Sequence, residues 1–209
     1  MSDYIIYISD VETTGRDPKE NEVIEISYLR FYFNKPDEID QKTWLLRALN
    51  PATIKDDALA KNGHKKEDIL CKTEYGRDNY KSPELVLPEI EDWFSQDGHS
   101  AYDRVFAGQN PWFDMDFQTE LWSKNNSLDT FPFENGPNLK IIDTKEIVLL
   151  IDIVLGQTRD SYSLSNLVKN FGVKKEKAHR ADADVRMTKD LLINLVNGFK
   201  ESVEKNFKL

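Results

Sequence analysis

Cysteine is almost absent. Cys71 is the only one in 209 residues, which excludes an intramolecular disulfide and a cysteine-built zinc site. A reducing, cytoplasmic location is the expectation that follows. Long apolar runs are missing as well. The longest candidate, Ile147 to Leu155, is interrupted by Asp152 and falls far short of the ~20 residues that span a bilayer. At the N-terminus, Asp3 precedes a brief Tyr4–Ile8 run that reads as a strand and not as a signal peptide. Internal repeats, low-complexity tracts and Gly/Ser linkers are also lacking, so residues 1–209 are expected to form one domain. Positive charge is in short supply. The 28 Lys and Arg stand against 37 Asp and Glu, for a formal charge of −9, which argues against a broad basic face for a polyanion.

What is present is an ordinary globular composition, 39% hydrophobic and 31% charged, long enough to bury a sizeable core. Tyr4–Val11, Val23–Phe33 and Thr43–Leu49 read as strands joined by short connections, hence an antiparallel meander. Asp56–Lys61 reads as a short helix stopped by Asn62-Gly63, and Asn79–Ser82 as a polar loop. Pro83 opens a helix to about Ser95, with Leu85, Leu87, Ile90 and Phe94 on its apolar face. Arg104–Gly108 and Leu139–Ile142 read as short strands. Helices follow at Pro111–Lys124, from Asp143-Thr144 to Leu155, and over Ser161–Asn170 and Ala181–Gly198. Strands first, then helices interleaved with strands, predict a mixed α/β sheet flanked by helices.

Three segments could carry chemistry. Asp10 and Glu12 lie two apart near the end of the first strand, so both carboxylates face the same way and repel unless a cation sits between them. Hard oxygen donors of this kind suit Mg²⁺ or Mn²⁺. Taken alone, Asp-x-Glu reads first as a polar strand end before a turn. Thr13-Thr14-Gly15 follows, where the glycine would let the backbone approach a ligand closely. Phe113-Asp114 opens a helix; the helix dipole alone favours an acid there, and Asp116, two positions on, points elsewhere. His179 enters the last helix, with Asp184 five residues later. Separately, these are a surface histidine and a capping acid. His64 and His99, in polar turn-like surroundings, are expected to be exposed bystanders.

In this order, Asp10-Val-Glu12-Thr-Thr-Gly15, Asn110…Phe113-Asp114 and His179…Asp184 resemble the DEDDh 3′–5′ exonucleases. That superfamily includes the proofreading subunit of bacterial replicative polymerase, ribonuclease T and oligoribonuclease. The resemblance spans nearly the whole chain, with weaker echoes at Tyr162-Ser-Leu164-Ser-Asn-Leu167, Ile142-Asp143-Thr144 and Asn62-Gly63. One position departs: many members have Gly-His-Asn where this chain has Gly108-Gln109-Asn110.

The resemblance implies a ribonuclease-H-like fold, a five-stranded mixed sheet whose first three strands are antiparallel. It implies that Asp10, Glu12, Asp114 and Asp184 hold two Mg²⁺, with Mn²⁺ able to substitute, and that His179 is the general base. Two such ions, about 3.5–4 Å apart, polarise an attacking water and stabilise a leaving 3′-oxygen. Thr13, Thr14, Asn110, Phe113 and Lys177 are the expected substrate contacts, and Trp112 or Phe113 could stack on a terminal base. Trp44, Trp93, Phe117 and Trp122 are expected in the core. From Lys169 to Arg180, five basic residues oppose Glu176 alone, a run of +4 beside His179 suited to guiding phosphate. The expected partner is the 3′ end of nucleic acid, single-stranded DNA or RNA in preference to blunt duplex, with no membrane. Homodimerisation and polymerase association stay open. The absence of a recruitment tail favours a stand-alone nuclease, and the intact set of Asp10, Glu12, Asp114, Asp184 and His179 argues against a non-catalytic module that kept the fold.

Overall fold

The computed structural model describes residues 4–70, 80–134, 136–176 and 179–207, with side chains to residue 200. Strand β1 (Ile5–Thr13) is the centre of the sheet, and its alternation serves two cores. Ile5 and Tyr7 point into a large aromatic cluster on one face, and Ile6 and Ile8 into an aliphatic cluster on the other. A strand buried on both faces reads as a continuous apolar run, as Tyr4–Ile8 does.

β2 (Val23–Tyr32) and β3 (Lys35–Leu46) extend the sheet by antiparallel pairing. Helices α1 (Asp56–Asn62) and α2 (Lys66–Ile69) then lead to β4 (Tyr80–Lys81), followed by α3 (Pro83–Ser95), β5 (Arg104–Gly108) and α4 (Pro111–Lys124). The chain continues through β6 (Ile141–Asp143), α5 (Thr144–Leu155), α6 (Leu164–Asn170) and α7 (Ala181–Phe207). The sheet order is β4-β3-β2-β1-β5-β6, with β4, β5 and β6 each parallel to its neighbour. The α3–α4 side holds the aromatic core, including Trp44, Trp93, Phe117 and Trp122, as expected. Helix α7 covers the opposite face through Val185 and Leu192.

The α/β class and the antiparallel opening agree with expectation; the count does not, since the sheet has six strands and not five. The sixth is β4, where a polar loop was expected. Tyr80 and Lys81 are held by pairing with Leu45 and Leu46, a tertiary contact that two residues cannot encode as a pattern. β3 begins at Lys35 instead of Thr43 because its first half is polar and mostly exposed, and only its main-chain pairing makes it a strand. Leu85 is 60% exposed, off the buried stripe of Val86, Leu87, Ile90, Trp93 and Phe94. No helix among the described residues is long and apolar enough to cross a membrane.

Candidate active site

β1 delivers Asp10 and Glu12 to one side of the sheet at its C-terminal end, where both are partly exposed and flank buried Val11. A register shift between Glu12 and Thr13 ends the regular pairing and turns the chain out of the sheet. The Thr13 hydroxyl donates to the Gly15 carbonyl at 2.5 Å, and Asn62 donates to the Thr13 carbonyl at 3.2 Å, so the end of α1 is tied to this turn. Thr14 is fully buried and its hydroxyl accepts from the Glu22 N–H at 2.9 Å; it does not line the cavity below. Gly15 lines the cavity described below, and its lack of a side chain also serves packing, since a Cβ there would meet the Asn21 side chain at 2.3 Å.

Asp114 comes from the first turn of α4. Asn110 precedes it in a left-handed conformation (φ 60°), its N–H donating to Asp143 Oδ1 at 3.0 Å, and Pro111 starts the helix. This fixes the entry angle so that Asp114, 4% exposed, accepts from the Val11 N–H at 2.9 Å, between Asp10 and Glu12. Asp116 faces solvent. Phe113 packs on Phe117, and Trp112 is 51% exposed. Gln109, the position at which the chain departs from the motif it resembles, accepts from the Thr144 hydroxyl at 2.5 Å and donates to the Tyr162 carbonyl at 2.7 Å. It is a non-titrating brace between the end of β5, the start of α5 and the loop before α6.

His179 sits in an exposed turn before α7, with a left-handed backbone (φ 62°), and its N–H donates to Asp184 Oδ2 at 3.1 Å. Donor atoms of Glu12, His179 and Asp184 lie within 4.8 Å of one another. Asp10 and Asp114 stand outside that trio but line the same cavity, of about 740 Å³, with Thr13, Asn110 and Phe113. Lys177 lies outside the described residues.

Burial and mutual repulsion raise the acids. Asp10 is pushed well above the ordinary carboxylate range by burial and then by Asp114, Asp184 and Glu12. Burial and the nearby Asp184 and Glu25 push Glu12 up to about 8. Asp114 is raised by burial against the pull of its backbone bonds, and Asp184 by burial to about 6. Asp184 Oδ1 is buried with no hydrogen-bond partner. Four crowded carboxylates and an orphaned oxygen fit hard divalent cations, which supply the missing charge. His179 is held below its ordinary value by partial burial and then by Lys61. Sequence reasoning missed Lys61, on the last turn of α1, and it lines the cavity. Its position beside Asn62-Gly63 was the only available signal.

His64 is not the exposed bystander its sequence surroundings suggested. Its side chain is 6% exposed and its Nε2 lies 2.9 Å from Oε2 of Glu25, a fully buried acid on β2. His99 is partly buried against the Tyr32 hydroxyl. One member of the basic run is spent, since Arg180 turns toward Glu25 at 3.5 Å, while the run's lone acid, Glu176, pairs with Arg186 at 2.7 Å.

The family model described as Exonuclease (RNase_T) matches residues 7–192. The chain belongs to this exonuclease family. The family is that of the DnaQ-like exonucleases, and a nuclease activity is what it supports. It is 28% identical over 203 residues to the PolC-type DNA polymerase III of Staphylococcus aureus (strain bovine RF122 / ET3-1), covering 96% of the chain but 12% of that polymerase. The zinc-bound complex of E. coli exonuclease I with single-stranded DNA superposes with a TM-score of 0.75 at 16% identity, over 97% of this chain and 42% of that one. Cell-death related nuclease 4 (CRN-4) gives 0.72 at 15% identity, over 94% and 65%. These likenesses establish the ribonuclease-H-like fold.

Proposed function

We propose that this exonuclease is a metal-dependent 3′–5′ enzyme of the DEDDh type, acting as one unit over residues 1–209. It hydrolyses the terminal phosphodiester of single-stranded DNA or RNA and releases nucleoside 5′-monophosphates. The observation that carries this reading is the convergence of Asp10, Glu12, Asp114, Asp184 and His179 from three distant parts of the chain on one cavity. A structural acidic cluster has no use for a histidine at that point.

Asp10, Glu12, Asp114 and Asp184 would hold two divalent ions, Mg²⁺ or Mn²⁺. When bound, the ions supply charge stabilisation at the attacking and leaving oxygens. The Val11 N–H fixes Asp114, and the His179 N–H fixes Asp184, so the ligands are oriented before substrate arrives. His179, exposed to the cavity and held below its ordinary pKa, is neutral at physiological pH and accepts the proton of the attacking water. The Thr13 turn, Asn110, Phe113 and Lys177 contact the terminal nucleotide, with Phe113 offering a ring for stacking.

The deciding experiment is digestion of 5′-end-labelled single-stranded DNA, duplex DNA and RNA of matched sequence with Mg²⁺ or Mn²⁺. A ladder shortening from the 3′ end, with mononucleotide products and complete inhibition by EDTA, is expected. Cleavage of a circular single strand, or full activity in excess chelator, would refute the proposal.

A further inference from the structure

Glu25 is an ionisable group for which the proposed reaction has no use. It sits on β2 directly across from Glu12, its carboxylate is fully buried, and neither oxygen has a hydrogen-bond partner. A buried carboxylate persists only when opposite charge compensates it. Two side chains reach the same oxygen, Oε2: His64 Nε2 at 2.9 Å and Arg180 Nε at 3.5 Å. His64 is itself held, by the Tyr80 hydroxyl at 2.5 Å on Nδ1 and by its N–H donating to Asn62 at 3.2 Å. Asn62 in turn donates to the Thr13 carbonyl. Arg180 is the residue after His179.

His179 is otherwise weakly restrained. It lies in an exposed turn and adopts a left-handed backbone, a conformation that for a non-glycine residue needs surroundings to impose it. On its C-terminal side, Arg180 supplies a charged tether into the sheet; on its own N–H, Asp184 supplies a hydrogen bond. We propose that Glu25 is a positioning residue, which through Arg180 holds the turn carrying His179 in register with Glu12 and Asp184. The inference rests on the exonuclease reading above and deepens it, assigning the Arg180 charge to buried Glu25 and not to substrate phosphate.

The test uses Arg180, whose side chain is 45% exposed, so that its variants keep the fold. Arg180→Met should lower kcat about 10- to 10²-fold, the range expected when a catalytic group is misplaced, with KM within about twofold. Arg180→Lys should recover most of that loss. Asp182→Asn, which removes the other acid near Arg180 (3.8 Å), should leave kcat unchanged. In a His179→Ala background, Arg180→Met should cost nothing further, because the group being positioned is gone. Glu25→Gln should reproduce the Arg180→Met phenotype where it folds.

A raised KM with unchanged kcat in Arg180→Met would overturn the proposal in favour of a phosphate contact. Full additivity with His179→Ala would overturn it too. Amide hydrogen exchange at residues 179–184 gives a readout free of activity: protection in the wild type and its loss in Arg180→Met are expected. Equal protection in both would refute the tether even if the wild-type protein proved to have no exonuclease activity.

Discussion

Two halves of the site are built to different tolerances. The Asp10, Glu12 and Asp114 half rests on the central strand and the start of a 14-residue helix. Buried Gln118 locks that helix down, accepting from the Tyr28 hydroxyl at 2.6 Å and donating to Ser9 Oγ at 2.8 Å. The His179 half is a solvent-exposed turn whose described restraints are the His179 N–H bond to Asp184, the Arg180 carbonyl at the start of α7 and the Arg180 ion pair. The contrast follows the chemistry. Several like charges must be kept together despite their repulsion, which takes a rigid frame, whereas the proton acceptor proposed at His179 has only to reach one water.

Breaking the rigid half should have the largest effect. Asp10→Ala or Asp114→Ala should reduce turnover by at least about 10³-fold in a steady-state assay, since each removes a ligand and leaves the others wrongly balanced. The fold should survive, because the lost carboxylate is one of several that repel one another. Asp116→Ala and Asp182→Ala should stay near wild type; an inactive Asp182→Ala beside an active Asp184→Ala would move the last ligand by two residues.

Breaking the other half should cost less. His179→Ala should lower kcat by roughly 10²–10⁴, the contribution of one positioned acid or base. Divalent-ion binding, followed by titration calorimetry, should persist because the four carboxylates remain. His99→Ala should be silent. An unchanged rate for His179→Ala across pH 6 to 9 would remove it as the base.

A third expectation separates the halves by stability. Glu12 and Asp184 titrate in the folded protein near 8 and 6, against ordinary values of 4.5 and 3.8. An acid whose folded pKa is raised favours the protonated native state. That stabilisation is full below the ordinary carboxylate range and is lost as pH rises through about 6 and about 8. Without metal, the melting temperature should fall between pH 5 and 8 by several degrees, as about 1 kcal/mol moves a chain this size by roughly 2–4 °C. Mg²⁺ should abolish the fall and Asp114→Asn should blunt it. A flat metal-free profile over that window would contradict the crowding of the carboxylates.

The rigid half was also the legible half. Period-two spacing put Asp10 and Glu12 on one face, and a helix start at Pro111 fixed where Asp114 projects, because local geometry determines both. The bounds of α3, β5, α4 and α5 likewise follow from local signals: proline at the start, the Asp143 cap, glycine after the end. β4 and the polar first half of β3 were invisible because pairing with distant strands makes them, not their own patterns. The same holds around His179. Nothing in the sequence spacing joins Glu25, His64 and Arg180, which are brought together only when β2, the α1–α2 turn and the start of α7 meet. Thr14 shows the converse: a residue in the right motif whose hydroxyl folding commits to the backbone of Glu22.

Lys61 gives the smallest and most selective test of the adjustable half. Its ammonium makes no hydrogen bond or ion pair among the described residues, yet it lines the cavity and pulls down the pKa of Glu12, Asp184 and His179. For His179, burial is the larger cause and Lys61 the second, both favouring the neutral ring that the proposed base requires. Removing the ammonium therefore raises the pKa of His179, so more of the ring is protonated on the acidic side and less is available as base. In Lys61→Ala, the acidic limb of the kcat profile should move to higher pH while the plateau at pH 8 stays near wild type. Lys61→Arg should keep the wild-type limb because the charge is retained. The shift should shrink with added salt, since an exposed ammonium is screened over a Debye length of about 8 Å at physiological ionic strength. A limb that moves to lower pH, or one that moves equally in Lys61→Arg, would show that Lys61 acts on the site through packing and not through its charge.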